Sequence, residues 1–194
     1  MYTIPQTIKV DNKSYAIREK GDYRMVLDCL AALGDETLSK TERLIAALII
    51  FYEDFNDISD FTEDVNLEEL VKQMFWFFNC GEPNGVGMAT QYKLIDWESD
   101  SQLICSAINK VAGKEIRLEP YIHWWTFMGY YISVGDSPLA TIVGLRSKLA
   151  RGKKLEKHEL EFKRNNPQYF TWDARTIEQK EADELVKKLW NSGK

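Results

Sequence analysis

Residues 119–135 read Glu-Pro-Tyr-Ile-His-Trp-Trp-Thr-Phe-Met-Gly-Tyr-Tyr-Ile-Ser-Val-Gly, and few folds accommodate such a stretch. Pro120 suits the first turn of a helix, where its missing N–H costs nothing. Tyr121, Trp124, Trp125, Met128, Tyr131 and Ile132 recur at helical spacing as one wide apolar stripe. Ile122, Phe127, Tyr130 and Val134 cover much of the other side. A helix apolar nearly all round must be enclosed by protein or lipid. At roughly 15 residues this one falls short of the ~20 that span a bilayer, and it contains His123. The expectation is a central buried helix on which the other elements pack.

The rest of the chain supplies those elements. Ile8 and Val10, then Tyr15 and Ile17, alternate about Asp11-Asn12, and Asn tolerates the left-handed conformation of a tight turn. A two-residue turn pairs Val10 with Lys13 and Ile8 with Tyr15, giving a hairpin over 6–17. Asp22 caps a helix from Tyr23, and Ser39-Lys-Thr-Glu42 forms a capping box for the next, through Tyr52. Asn66 opens a helix through Phe78, ended by Cys80-Gly81. Asp96 caps a helix through Ala112, with Trp97 on its apolar face, and Ser137-Pro138 starts one through Ala150. A mostly polar helix follows over 155–165, and the last, 174–191, carries a narrow stripe of Ala182, Leu185, Val186, Leu189 and Trp190. The predicted class is all-α, about seven or eight helices, with a small N-terminal β-hairpin. The organisation is one helical domain over 1–170 and a C-terminal amphipathic helix over 171–194.

At 194 residues and 44% hydrophobic, such a chain buries roughly 70% of its unfolded surface without disulfides. Cys29, Cys80 and Cys105 are odd in number and far apart, which suits a reduced, intracellular protein. The N-terminus lacks a basic-then-apolar signal pattern, and the apolar run 44–52 is too short to cross a membrane.

Charge is divided unevenly. Residues 1–100 hold 9 Lys and Arg against 19 Asp and Glu, net −10; residues 101–194 hold 16 against 11, net +5. Eight acids run from Glu53 to Glu69 with no base among them, whereas Arg146 to Arg164 is predominantly basic. Solvated faces account for such runs most simply. The alternative is a surface that orients a partner or a second copy. Nucleic acid fits poorly with an acidic chain lacking a recognition motif.

Little of the sequence points to chemistry. His123 lies between aromatic faces and reads as a core group, and His158 sits among Lys157, Glu159 and Glu161 as an exposed one. Two histidines with three dispersed cysteines make no familiar zinc set, so no metal or cofactor is expected. The glycines of 81–87 follow a helix, without the strand and Lys-Ser/Thr of a phosphate loop. The expectation is a protein that is not an enzyme.

Several strings together resemble one family: Asp22-Tyr23-Arg24, Leu48-Ile-Ile-Phe-Tyr52, Phe75-Trp76-Phe77, Asp96-Trp-Glu-Ser-Asp100, Ile122-His-Trp-Trp-Thr-Phe127 and Gly144-Leu-Arg146. Their order and spacing, over roughly 5–170, resemble small proteins of long-tailed phages and prophages of Gram-positive bacteria. Those are encoded just before the tape-measure protein and are taken to be tail assembly chaperones. The resemblance implies a chaperone that works in the host cytoplasm, with the tape-measure protein as partner and the tail tube protein as a second one. The complementary charge of the acidic 53–69 and basic 146–164 regions adds the expectation of head-to-tail self-association. The alternatives are a structural component kept in the virion and a small phage enzyme or regulator. Partner-binding candidates are the aromatics Tyr169, Phe170 and Trp172 and the stripe Leu185, Leu189 and Trp190, because none is needed to complete the core around the central helix.

Overall fold

The computed structural model describes residues 3–82, 92–171, 173, 175, 179 and 180. These form seven α-helices and one two-stranded antiparallel sheet, in two compact units. The first unit comprises Met1–Met88 and Lys114–Ser133; the second comprises Ala89–Gly113 and Val134–Lys194.

In the first unit, β1 (Thr7–Val10) pairs with β2 (Lys13–Ala16) in the expected register, Ile8 opposite Tyr15 and Val10 opposite Lys13. Ile8, Val10 and Tyr15 are buried, as period-2 alternation requires of one covered face. The left-handed turn residue is Asp11 (φ 53°), not Asn12. A 3-10 turn, Arg18–Gly21, then reverses the chain through three left-handed residues, Glu19, Lys20 and Gly21.

Helices α1 (Tyr23–Gly34), α2 (Lys40–Phe51) and α3 (Leu67–Phe78) start where their caps predict. Asp22 accepts from the Arg24 N–H, Ser39 and Glu42 form a reciprocal box, and Asn66 accepts from the Glu69 N–H. The end of α2 is closed from afar. Arg18 donates to the carbonyls of Ile49, Ile50, Tyr52 and Phe55 at 2.9–3.2 Å, satisfying groups that a helix C-terminus leaves open. Phe51, Tyr52, Phe77, Phe78, Trp124 and Phe127 fill the core, and the Tyr52 hydroxyl donates to Leu70 O at 2.9 Å.

Helix α5 (Trp124–Ile132) is the expected central helix, with two corrections. It begins at Trp124, not just after Pro120, because His123 is its N-cap. It is also not apolar-enclosed all round: Trp124, Phe127 and Met128 are buried, whereas Ile132 is 56% exposed.

The second unit holds α4 (Ser101–Ala112), α6 (Pro138–Ala150) and α7 (Lys157–Asn165), then a 3-10 turn, Pro167–Phe170. Helix α4 starts later than Asp96 predicts. Asp96 Oδ1 accepts from the Ser99 N–H and so caps a turn over 97–100 that precedes the helix.

Candidate functional site

Two clusters gather most of the strings that stand out in the sequence. In the first unit, the last turn of α3 leaves the Phe77 and Phe78 carbonyls pointing outward. Trp124 Nε1 donates to Phe78 O and Trp125 Nε1 to Phe77 O, both at 2.9 Å. Two indoles from one helix therefore cap the end of another. The exit of α3 is a Schellman motif: Cys80 N–H donates to Phe77 O and Gly81 N–H to Trp76 O. Its left-handed position falls on Cys80 (φ 55°) as well as Gly81 (φ 82°). A Cβ on Gly81 would lie 3.1 Å from Trp125 Cη2, so the Trp125 ring seats directly on that glycine.

His123 ties this cap to the N-terminal segment. Its Nδ1 accepts from the Trp125 N–H at 3.1 Å, and its Nε2 meets Pro5 O at 3.0 Å. An acceptor at Nδ1 and a donor at Nε2 together define the neutral Nε2–H tautomer. Burial holds the His123 pKa below its usual value, against opposing pulls from the Pro5 carbonyl and Asp22. Asp22 is itself buried: Oδ2 accepts from the Ile122 N–H at 2.9 Å, and Arg24 pairs with Oδ1 at 3.1 Å. Gly21 makes the crossing feasible, because a Cβ there would lie 2.7 Å from Phe77 Cζ and 3.0 Å from His123 Nε2.

The second cluster centres on Arg146. The sequence places this residue at the head of a basic, solvated run; the structure buries it, at 2% exposure. Its guanidinium grips the Asp100 carboxylate through two parallel bonds, Nη1–Oδ2 at 2.5 Å and Nη2–Oδ1 at 2.9 Å. Nη1 also donates to Leu94 O and Nε to Tyr169 O. Asp100 Oδ2 accepts the Asp96 N–H as well. One arginine thus joins the entry to α4, helix α6 and the turn after α7. The two strings involved lie 46 residues apart, and no local pattern announces a pair at that separation.

These clusters hold side chains in place. Burial pushes the Cys29 thiol far up, and the Cys80 thiol up to about 11, so both stay protonated. His123 has both nitrogens engaged. Among the described residues no three His, Cys, Asp or Glu converge as metal ligands. No described helix is long and apolar enough to cross a membrane.

The acids of 53–69 do much local work. Asp54 accepts from the Ala16 N–H, Asp57 from Ser59, and Asp60 from Asn56 and Asp57. Those bonds hold Asp60 below the usual carboxylate range; Thr62 does the same for Asp64, and Gln73 with Lys72 for Glu69. In the basic run, Lys148 pairs with Glu159 at 2.5 Å.

Of the six partner-binding candidates, two are described. Tyr169 is half-buried and gives its carbonyl to Arg146; Phe170 is half-buried with its ring edge-on to Phe162 at 6.5 Å. Trp172, Leu185, Leu189 and Trp190 lie outside the described residues. Nearby, α6 and α7 flank a cleft of about 370 Å³ lined by Ala140, Thr141, Gly144, Leu145, His158, Glu159 and Phe162.

The sequence profile of the bacteriophage Gp15 protein family matches residues 2–170, and the chain belongs to that family. No curated protein and no solved structure matches it.

Proposed function

We propose that this phage protein is a tail assembly chaperone: it binds the tape-measure protein and keeps it soluble until the tail tube forms around it. Membership of the bacteriophage Gp15 family over residues 2–170 is the observation that carries the reading. A tape-measure protein presents long helices with apolar stripes, which aggregate when left uncovered. Packing such helices into an apolar groove with charged rims shields them, and many weak sites along a rod supply avidity without permanent attachment. The work is done in the host cytoplasm, with the tail tube protein as the next component to engage. It is a binding role, not an enzymatic one. The half-buried aromatics Tyr169 and Phe170 are candidate contacts for such a helix.

The test is co-expression with the tape-measure protein, comparing its soluble fraction with and without this chain. A rise in solubility together with co-purification is expected. A folded chain that gives neither overturns the proposal, and its presence in stoichiometric amount in purified virions points instead to a retained structural component.

A further inference from the structure

Helix α3 has a second apolar line besides its buried one. Leu70, Met74, Phe77 and Phe78 face the core, whereas Leu67, Val71 and Phe75, spaced i, i+4, i+8, share another line. Leu67 is 37% and Phe75 39% exposed, with Val71 half-buried between them. Glu63, Asp64 and Glu68 stand exposed at the N-terminal end of this strip.

The α6–α7 cleft is its counterpart in shape and sign. Ala140, Thr141 and Gly144 leave the α6 wall low, and a Cβ added to Gly144 would meet nothing within 4 Å. Phe162 and Leu145 give the cleft apolar surface. The connection from α6 to α7 carries exposed Arg151, Lys153 and Lys154 against one exposed acid, Glu156, and α7 opens on exposed Lys157. The asymmetry holds for whole units: the first has 10 Lys and Arg against 18 Asp and Glu, net −8, and the second 15 against 12, net +3.

We propose that copies of this chain associate head to tail, the acidic-ended α3 strip of one seated in the basic-ended α6–α7 cleft of the next. Charge complementarity selects a second copy as occupant, since both halves of the match belong to this chain. The two patches differ, so the contact is heterologous and a pair joined by it keeps one free strip and one free cleft. Such contacts build a ring or an open string. A string of copies is a suitable cover for a rod, but the association requires no other protein and is measured on this chain alone.

Sedimentation velocity of the full chain, from micromolar to near-millimolar concentration, should show a ladder of oligomers. Its association constant should fall roughly tenfold between 0.1 and 1 M salt, where the screening length shrinks from ~10 to ~3 Å. Phe75→Glu spoils the strip and leaves the cleft; Gly144→Leu fills the cleft and leaves the strip. Gly144→Leu replaces a poor helix former on an open face, so this variant folds. Leu67→Glu serves as the strip variant if Phe75→Glu lowers the helical circular dichroism signal. Each variant alone should be monomeric, and an equimolar mixture should form dimers and nothing larger. A wild-type monomer throughout overturns the proposal and assigns the cleft to another occupant, whether the chain's own C-terminal segment or a foreign helix. Variants that assemble like wild type, or a mixture that stays monomeric, overturn it equally.

Discussion

Replacing Arg146 by Met should unlock the second unit. The side chain is 3% exposed and its Asp100 partner 2%, so neither charge reaches water to recover solvation. Breaking a buried ion pair by removing one member costs ~3–5 kcal/mol, because the survivor stays buried and uncompensated. Leu94 O and Tyr169 O also lose a donor, but both belong to half-exposed residues and water restores part of that loss. The net expectation is ~3–5 kcal/mol, a large share of the ~5–15 kcal/mol that holds a domain. Asp100→Asn keeps an acceptor for the Asp96 N–H and removes only the charge. In the Asp100→Asn, Arg146→Met double variant no uncompensated charge remains, so the cycle should show ~2–3 kcal/mol of coupling. Lys at 146 should fall between, since an ammonium cannot hold a bidentate carboxylate and two carbonyls together. Native-state hydrogen exchange of α4 and α6 amides reads this unit directly, with urea unfolding as the global measure. A cost below ~1 kcal/mol for Arg146→Met, or additivity within ~0.5 kcal/mol, would refute a buried hub.

Three further expectations concern the first unit. Trp124→Phe strands the Phe78 carbonyl in the core and should cost at least ~1–3 kcal/mol in urea unfolding; Trp125→Phe, half-exposed, should cost less, and the reverse order would contradict the capping roles. Gly21→Ala combines left-handed strain of ~1–2 kcal/mol with displacement of the Phe77 ring, whereas Gly113→Ala (φ +69°) meets open space and should incur the strain alone. Equal melting shifts for the two would remove the close-packing argument at Gly21. The depressed His123 pKa makes the unfolded chain bind more protons below its ordinary value of 6.5. Stability is therefore full above that pH and falls as pH drops toward the folded-state value, by at most ~1.4 kcal/mol per unit. His123→Gln should flatten this dependence below pH 6.5, and an unchanged slope would assign it to other groups.

Local chemistry made much of the fold legible. Caps at Asp22, Ser39, Asn66 and Ser137 place four helix starts, since an unsatisfied first turn recruits a side chain from within a few residues. The hairpin register follows from period-2 burial of Ile8, Val10 and Tyr15, although the left-handed residue proved to be Asp11. Legibility stops where partners are distant. A histidine just before two tryptophans fits the helical spacing, yet its acceptor nitrogen made it a cap and moved the start of α5 to Trp124. Asp100 carries no visible mark as the counter-ion of Arg146, and charge counting sends Arg146 to the surface. Gly21 announces a turn, but not the Phe77 ring against it.

The strings that carry the resemblance concentrate in these two clusters. Asp22-Tyr23-Arg24, Phe75-Trp76-Phe77 and His123-Trp124-Trp125 build one; Asp96 to Asp100 and Gly144-Leu-Arg146 build the other. Most of their side chains meet core or carbonyl groups, so they fix a shape and leave the contacting to residues outside them. Stability and function then separate experimentally. Variants at Trp124, His123 or Arg146 should lose tape-measure solubilisation only in proportion to the fraction unfolded. Variants on open surface outside those strings, such as Leu67 on α3 or Thr141 in the cleft, should be able to lose it at full stability. A Trp125 or Arg146 variant that folds fully and still fails to bind would place the contact in the clusters themselves, and the division of labour between signature and surface would have to be abandoned.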